Sequence, residues 1–219
     1  MKNDYLLKEY ELCFEQLRFY DNRHGTILQY LFSLTAAVAT AQFAVYKFLA
    51  GPTRGFFACQ AFLSGIVFIA TLILFLTMLQ NRLYFVHMAR QLNAIRGYLM
   101  TTEASDFHGN QLYTSTDFPA IKASSVHTFQ LLGAALISSL FAGASAYAIA
   151  PSIGTSPCLG TAILVAVVVA IGEIWGGIRY LSDSGRETSD EAVHGIKKNN
   201  QPEQGAAQDG ESAALHPRQ

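Results

Sequence analysis

The sequence predicts an all-α membrane protein: four transmembrane helices plus a cytoplasmic antiparallel extension, in which an N-terminal helix packs on the continuation of the second span. Three observations lead there. Four apolar runs are each long enough to cross a bilayer, which takes about 20 residues. Charge is scarce, 14% of the chain against roughly a quarter in soluble domains. No acid occurs between Asp21 and Glu103, or between Asp117 and Glu173, as expected where the solvent is hydrocarbon. Finally, the basic residues sort by segment.

The apolar runs are Thr26 to Leu49, Phe56 to Leu79, Val126 to Ala150 and Cys158 to Ile178. The first is the least apolar, holding Gln29 and Gln42. Of the 15 Lys and Arg, only Lys47 and Arg54 fall at the connection between the first two runs, and "PSIGTSP" between the last two has none. The remainder precede the first run, follow the fourth, or lie between the second and third. The positive-inside rule then assigns both termini and the middle connection to the cytoplasm. The chain is expected in the cytoplasmic (inner) membrane, with the lipid bilayer as its first partner. The two opposite connections, "AGPTRG" and "PSIGTSP", are short and rich in turn residues, too short for an external domain.

Before the first run, Leu6, Tyr10, Cys13, Leu17 and Tyr20 recur at steps of three and four, one apolar seam on a helix. After the second run the pattern continues unbroken, with Tyr84, Met88, Leu92, Ile95 and Leu99 on one face. Aligning these two helices antiparallel sets Asp21 near Arg82, and Glu15 or Glu11 near Arg90, as structural ion pairs. Exposed pairs of this kind contribute only ~0–1 kcal/mol each. The expected organisation is a cytoplasmic helix over 1–25, a four-span bundle over 26–181 with its helical connection near 80–122, and a disordered tail over 182–219. The tail has no aromatic residue and too little apolar surface to offset its chain entropy. Asp117 with Pro119 reads as a helix start.

No catalytic constellation is visible. The six histidines show no HExxH, and Cys13, Cys59 and Cys158 have no metal-ligand spacing. Cys59 and Cys158 sit near the same ends of their runs, so a disulfide stands open beside simple packing. No metal or cofactor is implied, and a net charge of −1 without a basic arm gives nothing for nucleic acid. Small residues recur every fourth position: Ala36, Thr40 and Ala44; Ala134, Ser138, Ala142 and Ala146; Gly172 and Gly176, with Gly177 beside them. Such ladders let helices approach closely in lipid. Packing inside the bundle is the first expectation and a subunit interface the second.

One residue does not belong to packing alone. Glu173 lies in the apolar "AVVVAIGEIWGGIRY", where a carboxylate facing lipid costs roughly 2.5–3.5 kcal/mol. Counting depth from Tyr180 matches it with Gln29, Thr77 and His127 or Gln130, an intramembrane polar layer in which Glu173 takes a hydrogen bond. The expected role is a non-enzymatic, oligomeric scaffold, signalling or effector component acting through its cytoplasmic helices on a protein partner. The alternative is a subunit of an oligomeric ion channel or small transporter built around Glu173.

Overall fold

The computed structural model describes residues 2–102 and 119–200, with side chains over 4–102 and 119–184. They form four helices: α1 (Lys2–Phe48), α2 (Arg54–Thr102), α3 (Val126–Ser152) and α4 (Leu159–Asn200). No strand occurs among the described residues. All four helices are long and apolar enough to cross a membrane. The chain divides into two units, Met1–Gly185 and Arg186–Gln219; the features below belong to the first.

α1 and α2 each run well beyond their apolar segments without a break. At 47 and 49 residues they are each about 70 Å long, against the ~30 Å of a bilayer core. No proline interrupts either helix, and in-run threonines need no outside partner. Thr26, Thr35, Thr40, Thr71 and Thr77 all donate to carbonyls of their own helices at 2.8–3.1 Å.

The helices alternate in direction. One end of the bundle carries the start of α1 and the connection between α2 and α3 (the terminal end); the other carries the two short turns (the turn end). Gly51 and Gly154 take φ of +120° and +89° at these turns, a region that costs little only for glycine. A Cβ on Gly154 would lie 2.7 Å from Arg54 Nη2, so the first turn's arginine lies directly across the second turn.

Packing divides into two cores. In the bundle, Ile27, Leu31, Phe75, Met78, Leu79, Ala134 and Ala135 are buried together with Leu181. In the extension, Cys13, Leu92 and Ile95 form a separate core flanked by Leu6, Tyr10 and Leu99. Arg96 Nη2 donates to Tyr10 Oη at 3.0 Å, Asn81 Nδ2 donates to the Tyr20 carbonyl at 2.8 Å, and Tyr20 stacks on Tyr84. The seams read from spacing therefore meet, antiparallel. α2 and α3 are the inner helices. In the most apolar windows, 33% and 39% of their residues are buried, against 11% and 17% for α1 and α4.

Two boundaries differ from the sequence reading. α3 does not start at Pro119. The Ala120 carbonyl turns aside to accept from Arg82 Nε, and the helix begins only at Val126, with extended Ser125 as its N-cap. α4 does not end at Ser182 but continues to Asn200. Its polar residues support it locally, as in the 3.5 Å pair of Arg179 with Asp183 one turn on. Asp117, Glu103 and the tail from 201 lie outside the described residues.

Candidate functional site

Glu173 is 9% exposed and faces α3, where Ser138 Oγ donates to its Oε1 at 2.7 Å. Ser138 is fully buried on the inward face of α3 that also carries Ala134 and Ala142. Close approach of α3 and α4 makes this contact possible. A Cβ on Gly143 would lie 2.9 Å from the Ala162 carbonyl oxygen and 3.0 Å from Ala166 Cβ. On its other side α4 meets α2 through Gly177, whose added Cβ would come within 3.2 Å of Leu79 and 3.3 Å of Phe75. Glu173 Oε2 is sealed from solvent and has no hydrogen-bond partner. The residue forms part of the wall of a groove of about 590 Å³ between α2 and α4.

A second polar node lies nearer the terminal end, where α1, α2 and α3 meet. His24, 1% exposed, packs edge-on against His127 with ring centroids 4.8 Å apart. His127 Nε2 lies 3.5 Å from Asp21 Oδ1 and its ring meets Phe85. Arg82, 3% exposed, sits over the Phe85 ring, and Gln130 reaches His24 from α3. Both His24 ring nitrogens, His127 Nδ1 and Gln130 Oε1 are buried without a well-formed hydrogen bond. Burial, then the neighbouring His127 and Arg82, lower His24 to about 4, so it is neutral at physiological pH. Burial brings the Arg82 guanidinium down to about 10, which leaves it charged and unfavourable to a bound cation here. Among the described residues no three His, Cys, Asp or Glu side chains converge as metal ligands.

The residues matched by depth therefore fall into different places. His127 and Gln130 belong to the terminal node with Asp21 and Arg82, whereas Glu173 pairs with Ser138. Gln130 and Ser138 are eight residues apart on α3, about 12 Å along its axis. Leu31, Met78 and Ala134, each 0% exposed, are buried together in the apolar core of the bundle. Gln29 is exposed on the outer surface of α1, and Thr77 is partly buried on α2. Glu15 is exposed and Arg90 partly buried. Gly177 is a packing glycine, but Gly172 and Gly176 are open, with nothing within 4 Å of an added Cβ. Cys13, Cys59 and Cys158 are unbridged.

Several contacts escaped spacing arguments. Gln42 Nε2 donates to Ser64 Oγ at 2.9 Å, joining α1 to α2, and Ser145 Oγ donates to the Ala61 carbonyl at 3.0 Å, joining α3 to α2. Polar residues inside an apolar run were the available signal for both, since each needs a partner.

These features define a class: an all-helical protein with four helices long and apolar enough to cross a membrane, holding two buried polar nodes beside an apolar core. Compared with known proteins, the chain matches no family model, no curated protein and no solved structure.

Proposed function

We propose that this chain is a multi-pass protein of the cytoplasmic membrane that acts as a scaffold or signalling component, without catalysis of its own, by presenting the paired extension of α1 and α2 to a cytoplasmic protein partner. One observation carries this reading. Both helices pass unbroken from an apolar run into an extension with its own core of Cys13, Leu92 and Ile95. A rigid link of this kind transmits a displacement between the membrane and the extension, which a flexible linker does not. One exposed face of the extension, with Tyr5, Leu12 and Phe19 at steps of seven, is the apolar surface it offers a partner. The test is a pull-down from detergent-solubilised membranes with the full chain and with a Leu12→Glu, Phe19→Glu variant. The reading expects a partner retained by the first and lost from the second at unchanged membrane level.

The alternative, an oligomeric channel or transporter subunit, draws on Glu173 Oε2, a buried carboxyl oxygen without a partner beside an open groove. Against conduction through one copy stands the close-packed apolar core of Leu31, Phe75, Met78 and Ala134. Ion flux into liposomes that is lost in Glu173→Gln would favour this alternative over the scaffold.

A further inference from the structure

We propose that copies of this chain assemble side by side through two unlike faces, the outer face of α1 in one copy seated in the α2–α4 groove of the next, where Gln29 and Ser33 meet Glu173. The inference rests on the membrane reading above and names a second copy of the chain as the partner within the bilayer.

The α1 face is polar where lipid is expected. Gln29, Ser33 and Ala37 follow one another at steps of four, with Ala36 and Thr40 beside them, and all are exposed. Thr35 and Thr40 turn their hydroxyls onto their own helix, but Gln29 and Ser33 have no hydrogen-bond partner among the described residues. A side-chain amide left to hydrocarbon is costly, so this face calls for a polar counterpart.

The counterpart is on the far edge of the same bundle. Gly172 and Gly176 are exposed and open, so α1 of the same copy does not cover them. They wall the groove together with Leu76, Tyr180 and Glu173. Glu173 is 9% exposed at the groove wall; its Oε2 is closed to solvent in the single copy and lacks a donor, which a Gln29 amide or a Ser33 hydroxyl supplies once the carboxyl turns toward the groove. Open glycines facing small residues allow the close helix approach typical of contacts in lipid.

The two faces lie at one depth. The pairs Tyr20–Asn81 and Gln42–Ser64 fix α1 against α2, and interpolation between them sets Ser33 level with Thr71. The contacts of Gly177 with Phe75 and Leu79 fix α4 against α2, and the same counting sets Gly172 level with Leu72. Each copy carries both faces, so the contact repeats head to tail from copy to copy.

Disulfide cross-linking of the full chain in native membranes tests this, with Cys13, Cys59 and Cys158 changed to Ala. Copies bearing Ser33→Cys and differently tagged copies bearing Gly172→Cys are co-expressed and oxidised. A bond requires Cα atoms within about 7 Å. The expected result is tagged heterodimers from the mixture, none from either variant alone, and a ladder of higher oligomers when both cysteines are on one chain. Ala37→Cys with Val168→Cys, one turn further toward the turn end, repeats the test should the first pair disturb folding. Absence of heterodimers from both pairs overturns the proposal, as does efficient self-cross-linking of Ser33→Cys alone, which would mean α1 meets α1. Release of the protein by alkaline carbonate would overturn the membrane reading itself. A carbonate-resistant protein without heterodimers would leave that reading standing and sink only this one.

Discussion

Ser138 donates its hydroxyl to Glu173 Oε1 at 2.7 Å, joining α3 to α4 in the buried centre of the bundle. The bond settles which way α4 is rotated: Glu173 inward, Gly172 and Gly176 outward. Ser138→Ala is expected to lower stability by about 1 kcal/mol, the usual worth of such a bond across helices. Glu173→Gln keeps an acceptor for Ser138 and is expected to fold as the parent does. Unfolding in mixed micelles measures both. A Glu173→Gln protein much less stable than Ser138→Ala would show that the carboxyl does more than hold the helix.

Close contact at Gly143 gives a sharper expectation. A Cβ there meets the Ala162 backbone at 2.9 Å, which cannot rotate away. Gly143→Val should force α3 and α4 apart, costing roughly 1–3 kcal/mol as overpacking does. Gly172→Ala, at an open mid-helix position, should not lower the thermal midpoint of the isolated protomer in detergent and should raise it slightly, since glycine costs about 0.5–1 kcal/mol against alanine inside a helix. Equal effects from the two substitutions would contradict the packing described.

Reactivity of Cys13 reports on the extension. Its thiol is buried beside Leu92 and Ile95, and burial, then Glu9, raise its pKa. A maleimide at pH 7 is expected to modify exposed Cys59 and Cys158 well before Cys13. Leu92→Ala removes about 2–5 kcal/mol of packing and should bring Cys13 labelling up toward the rate of the exposed thiols. Fast labelling of Cys13 in the parent protein would mean the two helices are not paired.

Acid should loosen the terminal node. His24 is held neutral at about 4 against an ordinary value near 6.5, so the open state binds the extra proton. The stabilisation is fully present above pH 6.5 and is lost as pH falls toward 4, at no more than about 1.4 kcal/mol per unit. The facing groups are Asp21 on α1, Arg82 on α2, and His127 and Gln130 on α3. His24→Leu should flatten stability between pH 6.5 and 4 relative to the parent. An unchanged slope in that variant would place the acid sensitivity elsewhere.

Much of the fold was legible because hydrophobicity and spacing act along one chain. The four runs, the continuation of α2 and the Tyr10–Leu92 seam all follow from periodicity. Facing between helices was less legible. Counting depth inward from Tyr180 matched Glu173 with His127 or Gln130, but α4 continues to Asn200, so Tyr180 marks no common level. The true partner, Ser138, lies deeper along α3. Gln29 and Thr77 were matched to Glu173 by depth, yet Gln29 is exposed and Thr77 only partly buried. Thr77 satisfies itself on the Ile73 carbonyl, and helix rotation is set by side chains on neighbouring helices that spacing within one helix does not reveal. Gly143 carried no signal beyond its place beside the Ala142 ladder.

Sidedness is the direct check on the proposal that the chain spans a membrane four times with the extension of α1 and α2 in the cytoplasm. In a Cys59→Ala, Cys158→Ala background, cysteine is introduced singly at Glu11 in the extension and at Ser156 in the second turn, both exposed positions. A membrane-impermeant maleimide is applied to intact spheroplasts and, separately, to lysed ones. The expected result is labelling of Ser156→Cys in both and of Glu11→Cys only after lysis. Labelling of Glu11→Cys in intact spheroplasts, or of both positions from the same side, would contradict the topology and with it the proposed role of the extension.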